Sequence, residues 1–148
     1  MEVQPDFRDL LALLNAHGVE YVIVGAHALA YYGAPRYTGD MDVYVRPGIE
    51  NARRIMTALK DFGFGSVGLT ESDFSALDRI IQLGYPPVRV DLVTSLTGVS
   101  WDEVSDHKIS AKYGDVPVHY IGRREFVANK RACGRKKDLA DLEALGEE

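Results

Sequence analysis

Thr38-Gly39-Asp40-Met41-Asp42-Val43-Tyr44-Val45-Arg46 reads as a β-strand with two carboxylates set into it. Successive side chains on a strand point to opposite faces. Met41, Val43 and Val45 therefore share one face, and Asp40, Asp42, Tyr44 and Arg46 share the other. The first face is apolar enough to bury. The second carries two like charges about 6.5–7 Å apart at the Cα level, which repel unless water or a cation lies between them. Taken alone, the pair has two readings, a solvated strand face or a set of ligands.

The flanking sequence alternates helix and strand patterns. Pro5 opens a helix with Phe7, Leu10, Leu11 and Leu14 at the 3.6-residue period, and Gly18 closes it. Tyr21 to Val24 is a short apolar strand ending at Gly25, followed by a short helix from Ala26 to Tyr32. After the Asp-bearing strand comes a helix from about Ile49 to Phe62, with Ile55, Met56 and Leu59 on its apolar side, ended by Gly63 and Gly65. Arg79 to Leu83 and Val88 to Val93 read as strands joined through Gly84-Tyr85-Pro86-Pro87. Ser100 and Glu103 form a capping box. Lys108–Lys112 and Val116–Ile121 flank Tyr113-Gly114-Asp115 as a hairpin, and helices over Arg123–Cys133 and Asp138–Leu145 close the chain. These elements predict an α/β (α+β) domain spanning residues 1–148, with a mixed sheet of about five strands flanked by helices.

Composition narrows the function classes. The 148 residues are 46% hydrophobic, enough for one domain with its own core. Seventeen Lys and Arg against 22 Asp and Glu give a net charge of −5, which disfavours a protein that coats nucleic acid. The single cysteine, Cys133, excludes an intrachain disulfide and a cysteine-rich zinc site and fits a reducing compartment. No stretch reads as a signal peptide or approaches the roughly 18 apolar residues of a spanning helix. The expectation is a soluble cytoplasmic protein with no membrane association.

A third carboxylate, Asp91, interrupts the strand Val88-Arg89-Val90-Asp91-Leu92-Val93, where Arg89 and Asp91 point away from the three apolar residues. If the two acidic strands are neighbours, Asp40, Asp42 and Asp91 converge, and a set of hard oxygen ligands suits Mg²⁺.

Gly25-Ala26, then Asp40-Met41-Asp42, then a lone Asp91 in an apolar strand resemble the nucleotidyltransferase superfamily of polymerase-beta-like fold. The longer run from Val24 to Arg36, with Thr38 to Asp42, resembles small bacterial members related to the AbiEii-type toxin nucleotidyltransferases. The segment Lys130 to Asp138, followed by Leu139-Ala140-Asp141, is similar to the one closing their domain. The resemblance touches most of residues 20 to 145. It implies metal-dependent transfer of a nucleotidyl group from an NTP to a hydroxyl acceptor, whether RNA, protein or small molecule, with a protein partner or self-association as further expectations. In that scheme Asp40, Asp42 and Asp91 are catalytic and hold the metal, two Mg²⁺ ions with Mn²⁺ as a substitute, and Asp91 accepts the acceptor's proton. Gly25, Ala26, Arg36 and Lys130 meet the nucleotide. The chain departs from many members at Ala26, which has no hydroxyl where they carry Ser. That departure motivates an alternative, a nucleotide-binding or toxin–antitoxin-type module with little or no transfer. A structural domain with solvated acids is the third reading.

Other candidates carry alternatives too. Gly25 also reads as an ordinary turn glycine, and Arg36 as a salt-bridge partner of a nearby aspartate. His27 lies in the phosphate-binding helix without a partner at metal-ligand spacing, which disfavours zinc chemistry. Gly63 to Gly68 reads as a turn, since it lacks the Gly-Lys-Ser/Thr ending of a phosphate loop. Arg123, Arg124, Lys130, Arg131, Arg135, Lys136 and Lys137 form a basic stretch, either a docking face for anions or a solvated helix face. Asp138 and Asp141 read as N-cap and first-turn acids of the last helix.

Overall fold

The computed structural model describes residues 3–35, 39–65, 68–85 and 88–147. The chain runs α1 (Pro5–Ala16), β1 (Tyr21–Val24), α2 (Gly25–Tyr31), β2 (Asp40–Val45), α3 (Ile49–Leu59), α4 (Glu71–Ser75), β3 (Ile80–Tyr85), β4 (Val88–Val93), α5 (Trp101–His107), β5 (Ile109–Tyr113), β6 (Val116–Tyr120), α6 (Arg123–Cys133) and α7 (Lys136–Ala144). The helix expected to reach Phe62 ends its α-helical course at Leu59 and widens into a π turn over Lys60–Phe64, with Gly63 in a left-handed conformation.

The sheet has six strands, one more than expected, in the order β3-β4-β2-β1-β6-β5. It is mixed: β1 pairs antiparallel with β2, β2 parallel with β4, and the β5–β6 hairpin joins through a parallel pairing of β6 with β1. That last pairing has a single register pair, Ile23↔Tyr120, extended by Ile121 N donating to Ile23 O at 3.1 Å. Four strands thus lie on one side of this seam and carry both acidic segments.

The periodicities bury the residues they nominated except Met56, which is partly buried against the core. Phe7, Leu10, Leu11 and Leu14 of α1 and Ile55 and Leu59 of α3 join Val22, Ile23, Met41, Val43 and Val45 in one core. Each such side chain contributes about 1.5–3 kcal/mol relative to exposure. Tyr44 departs from the expected solvent face: it is buried, its ring 5.1 Å from that of Trp101 at 81°. The capping box expected at the start of α5 is present, with Ser100 accepting from Glu103 N and Glu103 accepting from Ser100 N. Asn51 is a buried tie absent from the sequence reading. Its amide donates to the carbonyls of Glu20 and Arg46, and its oxygen accepts from Glu20 N, fixing the start of α3 to the one end of the β1–β2 pair where β1 begins and β2 finishes. No described helix is long and apolar enough to cross a membrane.

Candidate active site

The acids meet because of strand register. Asp42 is the register partner of Asp91 in the parallel β2–β4 pair and of Val24 in the antiparallel β1–β2 pair. It therefore lies beside both the third acid and the point where β1 turns into α2. Asp40 lies one step along the same face of β2, opposite Arg89. The pairing of β2 with β4 supplies the condition on which convergence depended: Asp42 and Asp91 are neighbours, and Asp40 shares the face of β2 with Asp42, as the alternation predicted.

Asp42 and Asp91 share a hydrogen bond between their carboxyl groups. Burial, then the charges of Asp91 and Asp40, push Asp42 up to about 6. Burial also raises Asp91, against the opposing pull of the Arg89 charge and of the hydrogen bond from Asp42. Both carboxyls are thus raised, and the two titrate as a unit.

The sequence reading missed Arg89. Its Nη2 donates to Asp40 Oδ2 at 2.8 Å, and its Nε lies 3.5 Å from Asp91 Oδ1. Asp91 is buried, whereas Asp40 and Arg89 are half-buried. The spacing Arg89-x-Asp91 was the available signal: set beside Asp40-x-Asp42 in a parallel pair, it places a cation opposite the first acid.

Gly25 starts α2 with φ +65°, a conformation costly for any residue with a Cβ. The Asp42 carboxylate packs directly against its Cα, so an added Cβ would collide with Asp42 Oδ2 and lie 3.0 Å from Asp42 Cγ. Gly25 thus makes room for an acid, a requirement beyond an ordinary turn. Ala26 is buried in the first turn of α2, whose N-cap Val24 supplies no side-chain hydrogen bond. His27 is a core residue. It is buried edge-on between Phe7 and Tyr113, and burial keeps its imidazole neutral by lowering its pKa.

Lys130 is not a solvated side chain. It is buried in α6, with Nζ 3.3 Å from Asp138 Oδ1, 3.1 Å from Asp141 Oδ2 and 5.4 Å from the Phe126 ring centre. Its charge still reaches Asp42, where it opposes the upward shift. Asp138 is corrected from N-cap to third residue of a capping box on Arg135. Burial pushes its carboxyl up, but the hydrogen bond from Arg135 and the Lys130 charge outweigh this and hold it below the usual range. Asp141 is buried on the same side of α7 rather than in its first turn. The rest of the basic stretch is partly neutralised within the chain, since Arg123 and Arg131 both reach Glu147. Arg36 lies outside the described residues.

Among the described residues, no three His, Cys, Asp or Glu side chains are gathered closely enough to hold a metal ion. The donor set nonetheless fits a hard cation. It consists of oxygens alone, and Asp91 Oδ1 is buried without a hydrogen-bond partner.

No protein-family model matches the sequence, and no curated protein matches it either. Solved structures do match. TM1012 of Thermotoga maritima, described as a nucleotidyltransferase, superposes with a TM-score of 0.64 at 14% identity over 96% of this chain and 93% of that one. The antibiotic-resistance factor ANT(2'')-Ia gives 0.59 at 12% identity over 95% and 80%. The lincosamide antibiotic adenylyltransferase LnuA, in a lincomycin-bound structure, gives 0.57 at 11% identity over 97% and 96%. The chain has the nucleotidyltransferase-like fold, a mixed sheet flanked by helices.

Proposed function

We propose that the protein is a metal-dependent nucleotidyltransferase that moves a nucleotidyl group from an NTP to a hydroxyl acceptor. The observation that carries this reading is the register pairing of Asp42 with Asp91, beside Asp40 and against the Cα of Gly25, in a fold shared with nucleotidyltransferases. Asp40, Asp42 and Asp91 would hold two Mg²⁺ ions, with Mn²⁺ as a substitute, which when bound would neutralise the charge that builds on the phosphate oxygens. Asp91 takes the proton of the acceptor hydroxyl. The acceptor oxygen bonds to the α-phosphorus, the bond from that phosphorus to the bridging oxygen breaks, and pyrophosphate leaves with the electron pair. The amides of Gly25 and Ala26, together with Arg36 and Lys130, orient the phosphates. The cytoplasm supplies both NTP and Mg²⁺.

A second reading, a nucleotide-binding module of the AbiEii toxin–antitoxin kind with little transfer, is favoured by Ala26 and by the engagement of Lys130 with two carboxylates. Incubation with α-labelled NTP and Mg²⁺ against total RNA, protein and small hydroxyl compounds separates the two. Label should move to one acceptor class with the parent and not with Asp42→Asn. Mg²⁺-NTP binding without transfer to any class would select the second reading, and absence of binding would remove both.

A further inference from the structure

Arg89 has no part in the chemistry above, yet its guanidinium reaches two of the three acids. Strand register puts it there, because Arg89 is the cross-strand partner of Asp40 and emerges on the same face of the sheet. It makes one good hydrogen bond, 2.8 Å to Asp40 Oδ2. Toward Asp91 the fit is poor. Arg89 Nε and Asp91 Oδ1 are both buried, both lack a hydrogen-bond partner, and stand 3.5 Å apart, beyond the usual length of a charge-assisted bond. A buried polar atom left in this state costs free energy that a better partner would recover.

We propose that Arg89 is the resident counter-cation of the acidic centre. It holds Asp40 and Asp91 in the nucleotide-free protein, a divalent cation must displace it from both, and the released guanidinium then meets the triphosphate. The inference rests on the nucleotidyl-transfer reading, from which it takes the cation and the NTP. A guanidinium offers one diffuse positive charge, whereas a divalent cation offers two and binds carboxylate oxygens directly. Because both need the same oxygens, they compete, and the guanidinium lowers cation affinity by what it contributes to the metal-free state. A fork of N–H donors suits phosphate oxygens, so the released arginine makes cation and nucleotide bind cooperatively.

Mn²⁺ titration of the nucleotide-free protein, followed by calorimetry and by the spin-resonance signal of unbound Mn²⁺, tests this. Arg89→Gln should lower the melting temperature of the metal-free protein and at the same time tighten Mn²⁺ binding about fivefold or more. The increase in Mn²⁺ affinity produced by a non-hydrolysable NTP analogue should shrink. Arg89→Lys, which keeps the charge and loses the fork, should fall between parent and Gln variant in each measurement, and it carries the comparison if the Gln variant does not fold. Opposite signs for stability and cation affinity are the signature, since loss of a purely structural arginine would weaken both. Equal or weaker Mn²⁺ binding by the variants, with the parent binding, overturns the inference and leaves the transferase reading standing. Failure of the parent and both variants to bind Mn²⁺, with or without nucleotide, overturns both.

Discussion

Two clusters in this molecule are built from the same parts, a basic side chain lodged between aspartates, and they differ in how completely those parts satisfy one another. Between α6 and α7, Lys130 reaches Asp138 and Asp141 while Arg135 Nε also bonds Asp138 at 2.7 Å, and Asp138 is fully buried. On the sheet, Arg89 bonds Asp40 well and Asp91 badly, and burial together with the mutual repulsion of the acids raises both Asp42 and Asp91. The first cluster is closed and fastens the last helix. The second is left under-satisfied on the partly open face of β2 and β4, the condition expected where a ligand completes the set.

The difference can be broken at the closed cluster first. Lys130→Ala takes the ammonium away from two buried carboxylates, of which Asp138 keeps Arg135, and should cost about 3–5 kcal/mol in urea unfolding. A loss below about 1 kcal/mol would mean that the α6–α7 contact is as loosely held as the sheet site. NTP binding by the folded fraction of this variant measures separately whether Lys130 also meets phosphate. Gly25→Ala comes next, at about 2 kcal/mol or more, from its left-handed backbone and from the collision with Asp42. Adding Asp42→Ala should recover part of that loss, and strict additivity in the double mutant would show that backbone strain alone is at work.

Asp42→Asn sharpens the contrast through pH. The folded-state pKa of Asp42, about 6, lies above its unfolded value near 4. The protonated group therefore favours the metal-free fold below about pH 4, and that contribution is lost as pH rises to about 6. Asp42→Asn should flatten the stability profile over this window. At pH 7 it should leave the protein as stable as the parent or better by about 1 kcal/mol, once the solvent reaching a half-buried carboxyl is allowed for. A parent profile without this slope would mean that the carboxylates are already compensated. The smallest effect belongs to Ala26→Ser, where a new hydroxyl adds at most one hydrogen bond, about 0.5–1.5 kcal/mol of NTP affinity by calorimetry. Transfer appearing only in that variant would make the natural chain a binding module.

Residues whose partners lie within a few positions, or whose alternation is strict, were legible in the sequence. Tyr21 to Val24, the Ser100–Glu103 box, the helix Arg123–Cys133 and the shared face of Asp40 and Asp42 all follow from local rules. What escaped was register. Arg89 lies 49 residues from Asp40, and only the parallel pairing of β2 with β4 makes them neighbours. The place of the Val116–Tyr120 strand in the sheet escaped likewise, because nothing local announces that β6 lies beside β1. Lys130 and its two acids face each other across the reversal at Gly134, which has φ +64°. Asp138, Asp141 and Leu142 are buried on one side of α7 while Leu139 is exposed, an inversion of the usual apolar rule that the approach of Lys130 to both acids and of Arg135 to Asp138 explains. Tyr44 is covered by Trp101, a contact between segments with no common sequence signal.

The single register pair between β1 and β6 has a consequence for motion. Hydrogen-bonded sheets open where the ladder is narrowest, and cooperative units separate along such lines. Few backbone bonds hold the β5–β6 hairpin to β1, so its attachment rests on the core packing of Val116, Val118, Tyr120 and Ile121, while β1, β2 and β4, which carry Gly25's strand exit and the three acids, are laddered to one another over four and five register pairs. Amide protons of the hairpin should then exchange with solvent through openings that leave the acidic face intact.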